Sequence, residues 1–112
     1  MKSNVLISVK IPGRLNEQLA MQIVKDGYGL RGKSRWLCEA IEKFIELKDF
    51  VELIEVASES LENTKSISFR ISEELLNKMQ NSIITARKQN PLLDAVQSNL
   101  VRAGIYQRLI RG

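Results

Sequence analysis

From Asn4 to Ile11 the odd positions Val5, Ile7, Val9 and Ile11 are aliphatic, while the even positions Asn4, Ser8 and Lys10 are polar and only Leu6 departs. A period of two predicts a half-buried strand with its odd residues turned to the core. Pro12-Gly13 ends that strand, because proline has no amide to give to a ladder. From Leu15 to Lys25 the period becomes helical, with Leu15, Leu19 and Ile23 on one face and Ala20 and Val24 beside it. Gly27-Tyr28-Gly29 predicts the stop, since a glycine just past the last helical turn takes the left-handed conformation at little cost. Ser34 is then the expected N-cap of a second helix carrying Trp36, Leu37, Ala40, Ile41, Phe44 and Ile45.

The same order of parts returns about sixty residues later. Ile67, Phe69 and Ile71 repeat the alternation of Ile7, Val9 and Ile11, and Leu75, Met79 and Ile83 repeat Leu15, Leu19 and Ile23. Ser72 is an expected N-cap for a helix opened by Glu73 and Glu74, which suit the positive end of its dipole, and that helix runs to about Lys88 before Asn90-Pro91. Ser98 is the expected N-cap of the last helix, in which Leu100, Val101, Gly104, Ile105 and Leu109 match Trp36, Leu37, Ala40, Ile41 and Ile45 at a constant offset of 64. Ala40 and Gly104 put a small residue at the same point of each unit, where two helices can cross closely. Residues 1–47 are one strand-helix-helix repeat, 65–112 the second, and 48–64 an acidic helical connector bearing Phe50, Val51, Ile54 and Leu61. A unit of some 45 residues seldom folds alone, so the two repeats are expected to share one core.

Charge follows the repeat. The 112 residues carry a net charge of +4, but residues 1–35 hold seven Lys/Arg against two Asp/Glu, residues 36–64 two against eight, and residues 65–112 eight against three. Both repeats are basic and the join is acidic, which raises the prospect of a nucleic-acid partner. The lone Cys38 lies within an apolar helical stripe, and the chain shows neither a secretory leader nor an apolar run long enough for a membrane, so a cytoplasmic protein is expected. There is no histidine, no phosphate-binding loop and no metal-spaced cluster, which argues against an enzyme, a catalytic residue, a metal or a cofactor.

The stretch from Lys33 to Ile41 (KSRWLCEAI), together with that from Ser98 to Ile105 (SNLVRAGI), resembles the second-helix opening of the ribbon-helix-helix superfamily, the group of the Met and Arc repressors. Two copies in one chain look like the TraY-type accessory proteins of conjugative plasmids. The resemblance implies a mainly α fold with a two-stranded antiparallel β-ribbon, a tandem ribbon-helix-helix forming an intramolecular pseudo-dimer. It also implies double-stranded DNA as the partner. The join at residues 89–97 and the connector are longer than the family pattern, and the ribbon can form within one chain or between two chains with exchanged repeats.

A two-stranded ribbon fits the major groove, where base edges carry a distinguishable pattern of donors and acceptors. By parity the base-reading residues are Leu6, Ser8 and Lys10 on the first strand and Ser66, Ser68 and Arg70 on the second. Arg70 suits guanine O6 and N7 as a bidentate fork, Lys10 donates to the same atoms, the serines take either role, and Leu6 suits a thymine methyl. Since the two triplets differ, an asymmetric core site is expected. Phosphates are expected at the amino ends of the second helices, at Gly32, Lys33 and Ser34 with Arg31 and Arg35 nearby, and more weakly at Gln97 and Ser98, with Arg102 adding charge.

The function implied is a sequence-specific transcriptional regulator, a repressor acting by occupancy. The alternatives are an accessory protein at a plasmid transfer origin, or, in a different class, a protein-interaction module, antitoxin-like or an assembly factor, whose residues 48–62 dock a second copy or a protein partner. Trp36 reads as core because Leu100 takes its place in the other repeat, whereas Tyr28 suits either a DNA backbone contact or a plain surface position.

Overall fold

A computed structural model describes residues 4–29, 32–57 and 64–111. Arg31 and Leu61 lie outside these residues. The order of elements is β1 (Asn4–Pro12), α1 (Gly13–Lys25), α2 (Lys33–Ile45), α3 (Phe50–Ala57), β2 (Thr64–Ser72), α4 (Glu73–Gln89) and α5 (Val96–Arg111). The fold is mainly helical with one two-stranded antiparallel sheet.

β1 pairs with β2 in the same chain over nine residues, with Leu6 opposite Arg70, Ser8 opposite Ser68 and Lys10 opposite Ser66. The alternation in each strand sends Val9, Ile11, Ile67, Phe69 and Ile71 into the core at 3% exposure or less, and Val5 and Ile7 are half-buried at the open end. Each strand runs directly into a helix. Pro12, at φ −57° and ψ 141°, is both the last residue of β1 and the residue ahead of α1, so no separate turn intervenes at Gly13. Ser72 plays that part for α4, and its hydroxyl accepts from the Leu75 amide at 3.2 Å as the sequence leads one to expect.

Leu15, Leu19 and Ile23 of α1 are buried, but Ala20 and Val24 are not; Val24 is 68% exposed. The stripe is narrower than expected because α1 meets the rest of the protein along a single line. α2 and α5 cross at the centre of the molecule. A methyl group built on Gly104 would lie 3.5 Å from Phe44 Cβ and 3.6 Å from the Ala40 carbonyl oxygen, which is ordinary contact. Gly104→Ala is therefore expected to raise stability by about 0.5–1 kcal/mol through helix propensity, measured by thermal unfolding.

Within the connector, Phe50–Ala57 form a helix separate from α2. Residues 46–49 turn the chain after α2, and α3 then packs against α5 with Val51 at 3% and Ile54 at 0% exposure. These two residues, expected to form part of a docking face, belong instead to the core, and Phe50 is half-buried edge-to-face against Phe44 at 6.4 Å. One hydrophobic cluster draws on both repeats and on α3. Among the described residues no helix is long and apolar enough to cross a membrane.

Candidate nucleic-acid interface

The alternation that buries one face of the ribbon leaves the other face to water. Leu6, Ser8, Lys10, Ser66, Ser68 and Arg70 are all exposed on that one face. Ser8 and Ser68 share a hydrogen bond across the strands, Oγ to Oγ 2.6 Å, at the centre of the face. Lys10 and Arg70 stand at opposite ends, separated by the four-residue step from Leu6 to Lys10, roughly 13 Å along a strand. That spacing corresponds to about four base-pair steps at 3.4 Å each.

A two-stranded ribbon has two outer edges whose amides and carbonyls need partners. At the two cation-bearing residues the second helix of each repeat meets three of these groups. Ser34 Oγ accepts from the Arg70 amide at 3.0 Å, and Cys38, one turn along α2, donates its thiol to the Arg70 carbonyl at 3.3 Å. On the other edge, Arg102 of α5 donates from Nη2 to the Lys10 carbonyl at 3.2 Å. Cys38 and Arg102 occupy the same place in the two repeats at the offset of 64. Because both backbone groups of Arg70 face outward, Leu6 and Arg70 form a non-hydrogen-bonded pair. By alternation so do Ser8 with Ser68 and Lys10 with Ser66, the closer kind of pair, in keeping with the serine contact.

Two expectations are corrected by this geometry. Ser34 is not an N-cap: α2 begins at Lys33 after Gly32, no side chain caps it, and the Ser34 hydroxyl is directed to β2. Ser98 is likewise inside its helix, as α5 begins two residues earlier at Val96 after Ala95, whose φ of +46° is left-handed. The helix starts shift because the turns ahead of them, and not a capping hydroxyl, set them. Gly32 is buried against the Tyr28 backbone and Cβ so closely that any side chain would collide, and its amide donates to the Gly29 carbonyl at 3.2 Å. Neither α2 nor α5 carries an acidic residue in its first turn, whereas α4 carries Glu73 and Glu74. The amino ends of α2 and α5 thus remain electropositive, that of α5 less so because exposed Asp94 lies two residues ahead.

Around the first of these ends Lys33 is half-buried and Arg35 exposed, its guanidinium 3.7 Å from Glu39 and 5.2 Å from the Tyr28 ring. Gln97 and Ser98 are half-buried in the first turn of α5. Arg102 cannot add charge there. It is 4% exposed, and Nη1 donates to the Ala57 carbonyl at 2.7 Å and to Asn99 Oδ1 at 2.8 Å. Desolvation lowers its pKa from the ordinary arginine value, and the last carbonyls of α3 supply the compensating negative dipole end.

The turn beneath α2 is held by a network that the sequence did not reveal. Tyr28 is half-buried, and its hydroxyl donates to Glu39 Oε1 at 2.6 Å while accepting from Arg108 Nη2 at 2.7 Å. Arg108 also donates to the Trp36 carbonyl at 2.7 Å and stacks on the Trp36 ring at 4.6 Å. Trp36 is fully buried, and its Nε1 donates to Asp26 at 2.8 Å, which with Gln22 holds the Asp26 carboxyl below its usual pKa. Gly27 and Gly29, at φ of +77° and +72°, make the turn that brings Tyr28 there. The Cys38 thiol, half-buried and beside Glu39 and Glu42, is pushed up in pKa, burial being the larger cause.

Comparison of the chain with protein-family models, with curated proteins and with solved structures finds no match.

Proposed function

We propose that this chain is a sequence-specific double-stranded DNA-binding protein that lays its ribbon in the major groove and acts as a transcriptional repressor by occupying its site. The observation that carries the reading is the single exposed face shared by Leu6, Ser8, Lys10, Ser66, Ser68 and Arg70, bonded at both edges to the second helices. Fixing backbone groups of Lys10 and Arg70 at the two edges holds the strands that carry the two cations, so less backbone freedom is lost on binding. The tandem pseudo-dimer belongs to the same reading. Exchange of the repeats at the offset of 60 turns the Leu6–Arg70 pair into Ser66–Lys10 and leaves Ser8–Ser68 unchanged, so the strand register is its own image. Arg70 and Lys10 are equivalent positions with different side chains, and the site read is correspondingly asymmetric.

Phosphates on either side of the groove are assigned to the amino ends of α2 and α5, at Gly32, Lys33, Ser34 and Arg35 on one side and at Gln97 and Ser98 on the other, since neither end carries an acidic residue in its first turn. An accessory protein at a transfer origin would make the same contacts at a different locus. The interaction-module reading loses support because Val51 and Ile54 are core residues.

Selection of bound fragments from a random duplex pool at physiological salt, followed by sequencing, tests the reading. An enriched asymmetric motif is expected, with binding that falls steeply as salt rises. Arg70→Ala should cost about 1–3 kcal/mol and relax the preference at one base pair, while Lys33→Ala weakens all sequences alike. Equal losses on every sequence for both variants would remove the base-reading assignment.

A further inference from the structure

α1 and the last turns of α5 leave an open groove of about 470 Å³, lined by Met21, Lys25, Tyr106, Leu109 and Ile110 among others. Met21 is 68% exposed and Ile110 75%, and Val24, three residues after Met21 on α1, is 68% exposed. Large apolar side chains gathered on one face mark an association surface more often than a solvated one. The charges along α1 point to what covers it. Glu17, Met21 and Lys25 are all exposed and, at successive intervals of four, form one line along the helix. If the same helix of a second copy is laid antiparallel with the two Met21 residues at the centre, Glu17 of each copy faces Lys25 of the other. In a parallel arrangement Glu17 would face Glu17. The stripe is complementary to itself in one orientation only.

The matching face of the second repeat lacks these features. At the offset of 60, α4 carries Asn77, Asn81 and Thr85 in place of Glu17, Met21 and Lys25. At the offset of 64, Glu42 of α2 and Glu46 just after it stand in place of Tyr106 and Ile110. We propose that the α1 face is an interface with a second copy of this chain, an antiparallel α1-to-α1 contact about a two-fold axis at Met21. Because each copy offers one such face, the assembly closes at two. The contact stands apart from the ribbon and does not depend on the DNA reading.

Sedimentation equilibrium of the full chain, from micromolar to millimolar concentration without DNA, tests it. A monomer–dimer equilibrium is expected, as suits a small interface. Met21→Asp should weaken it at least about tenfold. Glu17→Lys should weaken it several-fold, and the double variant Glu17→Lys with Lys25→Glu should return to the parent value, since the pair is then restored with its charges exchanged. The three side chains are exposed, so thermal unfolding at a concentration low enough for the parent to be monomeric is expected to be unchanged throughout, which separates association from folding. A parent chain that stays monomeric would overturn the proposal, as would a dimer indifferent to Met21→Asp. A double variant as weak as Glu17→Lys alone, or an assembly that grows past two copies, would overturn it equally.

Discussion

Phe69→Asp is expected to abolish the cooperative thermal transition of this protein. Phe69 is 2% exposed in the middle of β2, opposite Ile7, within the cluster that draws on both repeats. Removing the ring forfeits about 3–5 kcal/mol of burial and packing, and the carboxylate must then enter an apolar site either charged or at the cost of taking up a proton. Together these are comparable with the ~5–15 kcal/mol that holds a domain of this size folded. The neighbouring Ser66→Asp should shift the unfolding free energy by no more than about 0.5 kcal/mol, because Ser66 lies on the wet face of the same strand. Circular dichroism of both variants during heating decides the matter. A sharp melt in Phe69→Asp, or a large loss in Ser66→Asp, would mean that the inner and outer faces of the ribbon are assigned the wrong way round.

Arg102→Ala should cost about 3–5 kcal/mol, the range for leaving groups bonded to a buried charge without their partner. Three acceptors lose their donor at once: the Lys10 carbonyl, the Ala57 carbonyl and Asn99 Oδ1. A guanidinium reaches them because its donors form a rigid planar fork, so Arg102→Lys should recover only part of the loss. On DNA the same substitution is expected to act unevenly. Freeing the Lys10 carbonyl loosens one end of the ribbon, so under the proposed reading discrimination at the base assigned to Lys10 should relax more than at the base assigned to Arg70, whose backbone is held separately by Ser34 and Cys38. Unfolding in denaturant measures the stability, and binding to single-base variants of the selected site measures the specificity. An Arg102→Ala protein as stable as the parent would show that the buried guanidinium is not what ties α3 and β1 to α5.

The sequence determined a good deal by itself. Strict alternation at Val9, Ile11, Ile67, Phe69 and Ile71 places both strands, and the four-residue spacing of Leu15, Leu19 and Ile23 and of Leu75 and Met79 places the helices that follow. These are local patterns, in which the period of the backbone itself selects which side chains can share a face. The outward residues of the candidate interface follow from the same parity, and so does the Ser72 cap, where the capping hydroxyl and its amide are three residues apart.

Only the tertiary structure decided how the ribbon is held. Ser34 and Ser98 look like caps because a serine ahead of an apolar helix usually is one, yet the starts of α2 and α5 are set by the turns at Gly32 and Ala95. Arg102 looks like surface charge, but the cleft between α3, α5 and β1 buries it among carbonyls up to 92 residues away in the chain. Tyr28, Glu39 and Arg108 form one network although nothing in their spacing announces it, and Val51 and Ile54 of the acidic connector complete the core. For Ser34, Arg102 and Arg108 the partner is 36 to 92 residues away in the chain, and burial in the fold, not the residue type, fixes what the side chain does.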